Sequence, residues 1–270
     1  AKLLEKFDRD DIPIAIGEKF DDKTGPLLEW ARDYKISDFP GRIYENGVQA
    51  MVETIMQSKQ KVTILALGPC SNLQKALQIK PNIVNKSHVI ATSGSIESGY
   101  GALPGPDSEY NIRSNIPAAR AVYTAGWDLT IAPLDITHDI IIKGDDYRHL
   151  RTVNNATFKA LLDSYTAWVT AAKARVAPES RTPLLLDVLP VYLAINNQVC
   201  QIKDMKLVID KRGFTKQETK GKLVHVAQQW IPAQNKTPNG YRLFIDFILD
   251  RYTKGIIPKK KRVRPDMEDD

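Results

Sequence analysis

The sequence predicts an α/β fold: a Rossmann-like, open and mostly parallel sheet with flanking helices and a C-terminal helical elaboration. Short apolar runs alternate with segments of helical periodicity through the first half of the chain, which is typical of βαβ units. Most of these runs end where Gly or Pro interrupts the pattern. The chain has 270 residues, of which 43% are hydrophobic and 26% charged, so it is long and apolar enough for a sizeable core.

The first half contains four predicted strands, which are residues 12–17, 62–67, 87–92 and 129–133. Residues 62–67 are apolar at nearly every position, as expected of a strand covered on both faces, so we predict this strand in the interior of the sheet. Helical spacing of apolar residues predicts three intervening helices, at 43–58, 73–78 and 117–125.

The second half is predicted to be mainly helical. Residues 145–177 form one long helical stretch with an apolar face, and Pro190 kinks or restarts the apolar segment 184–195. Two strands, 205–210 and 223–226, are expected to form a hairpin or small sheet. A terminal amphipathic helix follows at 241–252. We expect a single domain over 1–254 and a basic, then acidic, tail over 255–270.

Composition excludes several classes of protein. Two cysteines, Cys70 and Cys200, are too few for a disulfide scaffold or a Cys-rich zinc module. The sequence contains no run of about 18 apolar residues, so we predict no membrane span. The first residues lack the apolar stretch of a secretory signal, so we expect an intracellular protein whose compartment the sequence does not specify. The net charge of the chain is +6, and most of the excess positive charge lies in the C-terminal tail. The net charge of the remaining residues is therefore modest.

Loops that follow parallel strands are the expected place for a site. The loop 67–72 opens a helix, so it either favours an anion or is an ordinary turn. The long Gly-rich loop 93–111 ends in Glu109 and Asn111, which either clamp a pair of ligand hydroxyls or cap the next helix. His138 follows the strand at 129–133 and is either catalytic or an exposed loop histidine.

Asp187 is the unusual residue of the apolar segment 184–189. An ionised carboxylate in such surroundings is costly unless it is paired, caps a helix or holds a cation. A cap requires only that a helix begins at Val188. All three interpretations remain open at this stage.

A set of sequence segments carries a resemblance to a known family. The segments are DIPIAIG at 11–17, LALGPCSNL at 65–73, SEYNI at 108–112, APLDITH at 132–138, LLLDVLPVYLAI at 184–195, and the pair LVID at 207–210 and KLVHVA at 222–227. In this order and spacing they resemble the inosine-uridine-type nucleoside hydrolase family (nucleoside N-ribohydrolases). The likeness runs from about residue 3 to residue 252. It implies a Rossmann-like α/β fold, in accord with the elements above.

The resemblance implies a calcium ion that holds the ribose diol and the attacking water. Leu67 matches the backbone carbonyl ligand and Asp187 matches the late Asp ligand of the family. Glu109 and Asn111 match side chains that bind ribose hydroxyls, and Thr92 lies where the main chain contacts the ribose region. This is coherent chemistry, because calcium prefers oxygen ligands and a metal-bound water is a nucleophile near neutral pH.

The chain also departs from the family pattern. The N-terminal DxDxxxDD motif is absent, and FDRDD at 7–11 has another spacing and precedes a strand that in the family comes well after that motif. We therefore expect the first strand, with its metal-binding and general-base Asp residues, to lie upstream of Ala1, to lie on another chain or to be lost. Leu186 stands where some members carry a catalytic His, and Asn115 replaces an acidic residue. Calcium should then bind this chain more weakly than roughly millimolar.

Two functional hypotheses follow. In the first, the chain is part of a calcium-dependent hydrolase of ribonucleosides and is inactive by itself, and calcium binds only if the missing ligands are supplied. In the second, it is a catalytically dead scaffold that serves as a structural subunit of an oligomer or larger assembly. The residues encoded before Ala1 distinguish the two, because a DxDxxxDD motif there favours the enzyme.

The tail is strongly basic and then acidic. Its cations are Lys259, Lys260, Lys261, Arg262 and Arg264, and four acidic residues follow. Apolar periodicity ends at Ile257, so we predict that the tail extends from the domain. It resembles a nuclear-localisation signal and could dock on RNA phosphates or an acidic partner, the alternative being a solvated tail.

Overall fold

The structure is a computed structural model that describes residues 1–19, 25, 27–153 and 155–255. In chain order its strands are β1 (Ile14–Ala15), β2 (Ile43–Tyr44), β3 (Val62–Ala66), β4 (Ser87–Thr92), β5 (Asp128–Ala132), β6 (Cys200–Ile209), β7 (Thr215–Gln217) and β8 (Lys222–Trp230). Within the described residues, six strands form a central sheet in the order β3, β4, β5, β8, β6, β7. Pairs from β3 to β8 are parallel, and β6 is antiparallel to both neighbours. The predicted mostly parallel α/β fold is confirmed.

Helices flank both faces of this sheet. They are α1 (Lys2–Lys6), α2 (Leu28–Ala31), α3 (Gly47–Gln57), α4 (Ser71–Ile79), α5 (Tyr110–Ser114), α6 (Ile116–Thr124), α7 (Leu134–Thr137), α8 (Gly144–Thr152), α9 (Ala156–Ala171), α10 (Val188–Leu193) and α11 (Gly240–Lys254). Asparagine side chains accept a backbone N–H at the start of α3, α6, α9 and α11, which satisfies a donor that the helix leaves unpaired.

The alternation of side chains along the strands divides the core into two clusters. Leu129 and Ile131 of β5 join one cluster with α3, α4 and α6, whereas Ala132 joins the other with α8 to α11. Trp127 and Phe244 are fully buried in the first and second cluster respectively. Burial on both faces is what a parallel sheet in an α/β fold requires.

The position predicted for β3 is wrong. It pairs with β4 alone among the described residues and therefore forms the edge of the sheet. Burial alternates along it: Thr63 and Leu65 are exposed, and Val62, Ile64 and Ala66 are half-buried. An apolar sequence indicated cover on both faces, but one face of β3 remains open to solvent.

Other element predictions also need correction. The strand expected at 12–17 shortens to β1, which forms a separate two-stranded parallel sheet with β2 and is not buried. The single helix expected over 145–177 is divided into α8 and α9, because Asn155 begins a new helix by capping it. The strands expected as a small hairpin belong to the central sheet, as β6 and β8.

Two findings concern the remaining expectations. No helix in the described part of the chain combines the length and apolarity that crossing a membrane would need. The predicted tail cations, Lys259, Lys260, Lys261, Arg262 and Arg264, lie outside the described residues.

Candidate functional site

A cavity of about 480 Å³ lies where the carboxyl ends of β3, β4 and β5 meet the following loops. It brings together all five residues that the sequence assigned to a sugar and metal site, which are Leu67, Thr92, Glu109, Asn111 and Asp187. The other lining residues are Tyr100, Tyr110, Arg113, Leu134 and Leu186. Convergence at this edge follows from the parallel topology, because each β-strand delivers its next residues to the same side of the sheet.

Glu109 is the most constrained side chain of the cavity. It is 4% exposed, and its carboxylate accepts backbone N–H groups from Asn111 at 2.8 Å, Ile112 at 3.2 Å and Gly94 at 3.4 Å. Burial raises the pKa of Glu109, while these hydrogen bonds and the Arg113 charge act in the opposite direction. The carboxylate therefore caps α5, not the helix at Pro117, and much of its acceptor capacity is used internally.

Asn111 and Thr92 are joined across the floor of the cavity. The Asn111 amide nitrogen donates to the Thr92 carbonyl at 3.0 Å, which leaves the Asn111 carbonyl oxygen for a ligand. The Thr92 hydroxyl is buried, and among the described residues it makes no hydrogen bond of good geometry. It nevertheless lies close enough to Asp187 to favour the charged form of that carboxylate.

Asp187 stands at the N-terminus of α10 but does not cap it, because its side chain accepts no backbone hydrogen bond there. The residue is exposed towards the cavity, and partial burial of its carboxylate raises the pKa. The helix-cap interpretation, which the sequence left open, therefore lacks its hydrogen bond. Asp187 also lines a second, largely apolar cavity of about 450 Å³ against α9.

The loop over the cavity is held by a residue that the sequence reasoning missed. Asp135, next to Leu134, accepts backbone N–H groups from Ile96 at 2.9 Å, Glu97 at 2.6 Å and Ser98 at 3.0 Å. This ties the loop that carries Tyr100 to the end of β5. The available signal was an acidic residue directly after a strand, where carboxylates often accept loop amides.

Two other sequence candidates are not part of the cavity lining. His138 does not line it, because the ring lies at the end of α7 with Nδ1 2.9 Å from the Leu134 carbonyl. In the loop 67–72, Cys70 occupies the N-cap position of α4, which begins at Ser71 and thus two residues before the helix predicted over 73–78. Asn72 instead accepts the backbone N–H of Glu18 at 2.8 Å. Burial raises the pKa of the Cys70 thiol to about 12, so it is not a thiolate near neutral pH.

Within the described residues, the cavity holds the two calcium ligands that the resemblance assigned, Leu67 and Asp187. Leu67 and Asp187 supply one carbonyl and one carboxylate at most, whereas calcium takes about six to eight oxygen ligands. Within the described residues, no group of three or more His, Cys, Asp or Glu side chains is placed to hold a metal. The cavity presents polar side chains that can form hydrogen bonds, between the apolar side chains of Leu67, Leu134 and Leu186.

Sequence comparison places the chain among known proteins. The family model for inosine-uridine preferring nucleoside hydrolase matches residues 1–247. The chain is 28% identical over 192 residues to the pyrimidine-specific ribonucleoside hydrolase RihA of Enterobacter sp. (strain 638), covering 64% of this chain and 58% of that protein. It is 30% identical over 154 residues to the probable uridine nucleosidase 2 of Arabidopsis thaliana, covering 53% and 48%. The chain thus spans about half the length of these curated relatives.

Solved structures share the fold. An inosine-uridine preferring nucleoside hydrolase from Bacillus anthracis superposes with a TM-score of 0.70 at 18% identity, covering 93% of this chain and 83% of that one. A plant nucleoside hydrolase, the PpNRh1 enzyme, gives a TM-score of 0.73 at 18% identity, covering 93% and 84%. Because the family model spans nearly the whole chain, the chain belongs to the inosine-uridine preferring nucleoside hydrolase family.

Proposed function

We propose that this chain supplies the sugar-holding half of a nucleoside hydrolase site, which cleaves the N-glycosidic bond of ribonucleosides only when further carboxylates complete a calcium site. The observation that carries the proposal is the single cavity that collects Leu67, Thr92, Glu109, Asn111 and Asp187. Relatives named as ribonucleoside hydrolase and uridine nucleosidase support the substrate class. By itself, the chain is expected to be inactive.

The roles of the chain's own residues follow from their free hydrogen-bonding capacity. The Asn111 carbonyl oxygen accepts a sugar hydroxyl, because its amide nitrogen is already bound to Thr92. The Asp187 carboxylate and the Thr92 hydroxyl face the same space and are the groups for a diol. Leu134 and Leu186 limit water around the sugar, and Glu109 positions the loop that carries Asn111.

The open edge of β3 is where the missing carboxylates would arrive. Val62 donates its N–H to Lys86, at the start of the neighbouring strand, so the N–H groups of Thr63 and Leu65 point to the other side by alternation. A strand laid parallel to β3 would pair with these groups and end beside Leu67. Acidic residues at its carboxyl end would then lie near Asp187.

Uncovered apolar surface supports such an addition. Leu65 and Leu67 are 37% and 38% exposed, and the apolar cavity against α9 begins at Asp187. In that cavity the Tyr165 hydroxyl is buried without a hydrogen-bond partner among the described residues. Exposed apolar area next to an unpaired strand edge is the surface that a further strand and helix would cover.

The proposal is tested by comparing the 270-residue chain with the longest natural polypeptide that contains it. Release of base from uridine and inosine is measured with added calcium and with a chelator. We expect activity only in the longer polypeptide, abolished by chelation and by Asp187→Asn. Hydrogen exchange supplies a second readout, because the amides of Thr63 and Leu65 should exchange rapidly in the shorter chain and slowly in the longer one.

Two outcomes contradict the proposal. Calcium-dependent hydrolysis by the 270-residue chain at the rate of the longer polypeptide would show that no further carboxylates are needed. Absence of both hydrolysis and nucleoside binding from the longer polypeptide would favour the other hypothesis, a structural subunit with a dead site.

One observation favours that second candidate. Glu109, which matches a substrate-binding residue of the family, caps α5 and therefore has a structural role that needs no substrate. A scaffold of this kind would use its basic tail, Lys259 to Arg264, to contact RNA. Binding to phosphates weakens steeply with salt, so the test compares RNA affinity of the full chain with that of one ending at Ile257 at two salt concentrations. Equal affinities would leave the tail as solvated charge.

A further inference from the structure

We propose that a basic cavity at the opposite end of the sheet from Asp187 binds a small molecule that carries a phosphate group on an apolar or aromatic body. The cavity has a volume of about 310 Å³ and lies where α6 ends, beside the amino ends of β5 and β8. Three cations line it together with three apolar or aromatic side chains, and these are Arg120, Lys220, Lys222, Tyr123, Val208 and Ile209. It shares no lining residue with the cavity that contains Asp187, so this site is separate from the proposed nucleoside site.

The three cations of this cavity have no ion-pair partner in the described part of the chain. No carboxylate there lies within 4.0 Å of Arg120, Lys220 or Lys222. None of the described lining residues is Asp or Glu. Like charges around one cavity repel each other, and an anion that lies between them relieves the repulsion.

Lys222 is the most constrained of the three cations. Its Nζ donates to the carbonyl of Ala125, the C-cap residue of α6, at 2.8 Å, which leaves two N–H donors for a ligand. Burial lowers the pKa of Lys222, and the charge of Asp128 acts in the opposite direction. Asp128 also lies 3.9 Å from the Lys61 ammonium. An anion in the cavity would add to the compensation that Asp128 gives to Lys222.

Arg120 and Lys220 reach the cavity from two different elements, which are α6 and the turn that precedes β8. Both residues are exposed, and neither side chain donates a hydrogen bond to another described residue. Their donors are therefore available to a ligand. A guanidinium and two ammonium groups are suitable partners for the oxygens of a phosphate group.

The remaining wall determines what the phosphate is attached to. Val208 and Ile209, near the carboxyl end of β6, supply aliphatic surface. Tyr123 supplies its ring, because its hydroxyl is already hydrogen-bonded to the buried Ser93 hydroxyl at 3.0 Å. The cavity is larger than an inorganic phosphate ion fills, so the apolar wall is available to an organic group.

The test is calorimetric titration of the 270-residue chain with phenyl phosphate, inorganic phosphate and phenol. We expect phenyl phosphate to bind most tightly and phenol least, since charge-assisted hydrogen bonds to phosphate are strong. The double variant Arg120→Gln/Lys220→Gln should bind phenyl phosphate roughly tenfold more weakly than the wild type. Both substitutions are at exposed positions, so the variant should fold, and thermal unfolding without ligand checks this.

A second double variant, Lys203→Gln/Lys236→Gln, is the matched control. It removes the same net charge from exposed positions outside the cavity, so it should keep the wild-type affinity for phenyl phosphate. Equal affinity of the wild type and Arg120→Gln/Lys220→Gln would overturn the inference. An equal loss in the control would overturn it too, because only the net charge of the chain would then matter. Inorganic phosphate that binds as tightly as phenyl phosphate would contradict the role of the apolar wall.

Discussion

The two carboxylates of the cavity, Glu109 and Asp187, differ in their exposure and in their hydrogen bonds. Glu109 is 4% exposed and accepts three backbone N–H groups, whereas Asp187 is exposed towards the cavity and accepts none at the start of its own helix. Glu109 belongs to the side of the site built on β4 and β5. Asp187 stands at the N-terminus of α10 and shares the cavity lining with Leu67, which follows β3.

The comparison shows that one carboxylate of this cavity is bound by the backbone of the chain, whereas the other keeps free acceptor capacity. Glu109 is held by three backbone N–H groups, and Asn111 is held by the Thr92 carbonyl. Asp187 makes no such hydrogen bond at the start of α10. We therefore expect Glu109 to matter mainly for stability and Asp187 mainly for ligand binding.

Glu109→Ala should have the largest effect on stability. It leaves two backbone N–H groups at the start of α5 and the N–H of Gly94 without their acceptor, so we expect the free energy of unfolding to fall by about 2–4 kcal/mol. Urea denaturation measures the loss. Glu97→Ala, an exposed glutamate of the same loop, should change stability by less than about 0.5 kcal/mol. A loss below about 1 kcal/mol for Glu109→Ala would show that the two carboxylates do not differ as described.

Asp135→Ala should have an intermediate effect. The half-buried carboxylate holds the amides of Ile96, Glu97 and Ser98, so we expect a loss of about 1–2 kcal/mol, concentrated in the loop. Hydrogen exchange should show lost protection at these amides while β4 stays protected. Uniform loss across both would place the effect in the sheet and not in the loop.

Asp187→Asn should change stability by less than about 0.5 kcal/mol, because the native carboxylate makes no cap hydrogen bond and remains exposed. The same substitution should abolish hydrolysis in the longer polypeptide. Thermal unfolding and activity are measured on the same preparation. A variant that loses both stability and activity would assign Asp187 a structural task instead.

The smallest expected effect is on the pH dependence of stability. Burial raises the pKa of Glu109, so the folded chain holds its proton at higher pH than the unfolded chain does. Stability from this group is therefore present below the ordinary glutamate pKa of about 4.3 and falls as pH rises through the raised value. The pKa of Asp187 is also raised, so urea titrations compare Asp187→Asn with the double variant that adds Glu109→Gln. An unchanged slope in the double variant would contradict the prediction.

The sequence predicted those parts of the fold that local patterns determine. β4 was predicted with its observed bounds, because SHVIAT is a short apolar run between clear turn signals. β3 was misplaced, because an apolar strand at an open edge has the same composition as one in the interior. The break between α8 and α9 was missed, since the capping Asn155 lies in a stretch whose apolar spacing continues on both sides.

The sequence predicted which residues line the site better than it predicted what each of them does there. Thr92, Glu109 and Asp187 were assigned to one site by resemblance, and the fold brings them around one cavity. Asp135 was missed because its task is defined by amides 37–39 residues away, which no local pattern reveals. Whether Glu109 binds a ligand or caps a helix depends on the same distant backbone, so the sequence left both open.

The capping role of Glu109 bears on how members of this family should be sorted into active and inactive ones. Substitution of this residue would damage folding whether or not the protein still turns over a substrate. A chain that has lost its chemistry would thus keep the glutamate for as long as it has to fold. The presence of this glutamate in a sequence is therefore a poor indicator of catalytic activity. Asp187, which makes no hydrogen bond to the start of its own helix, is the more informative position.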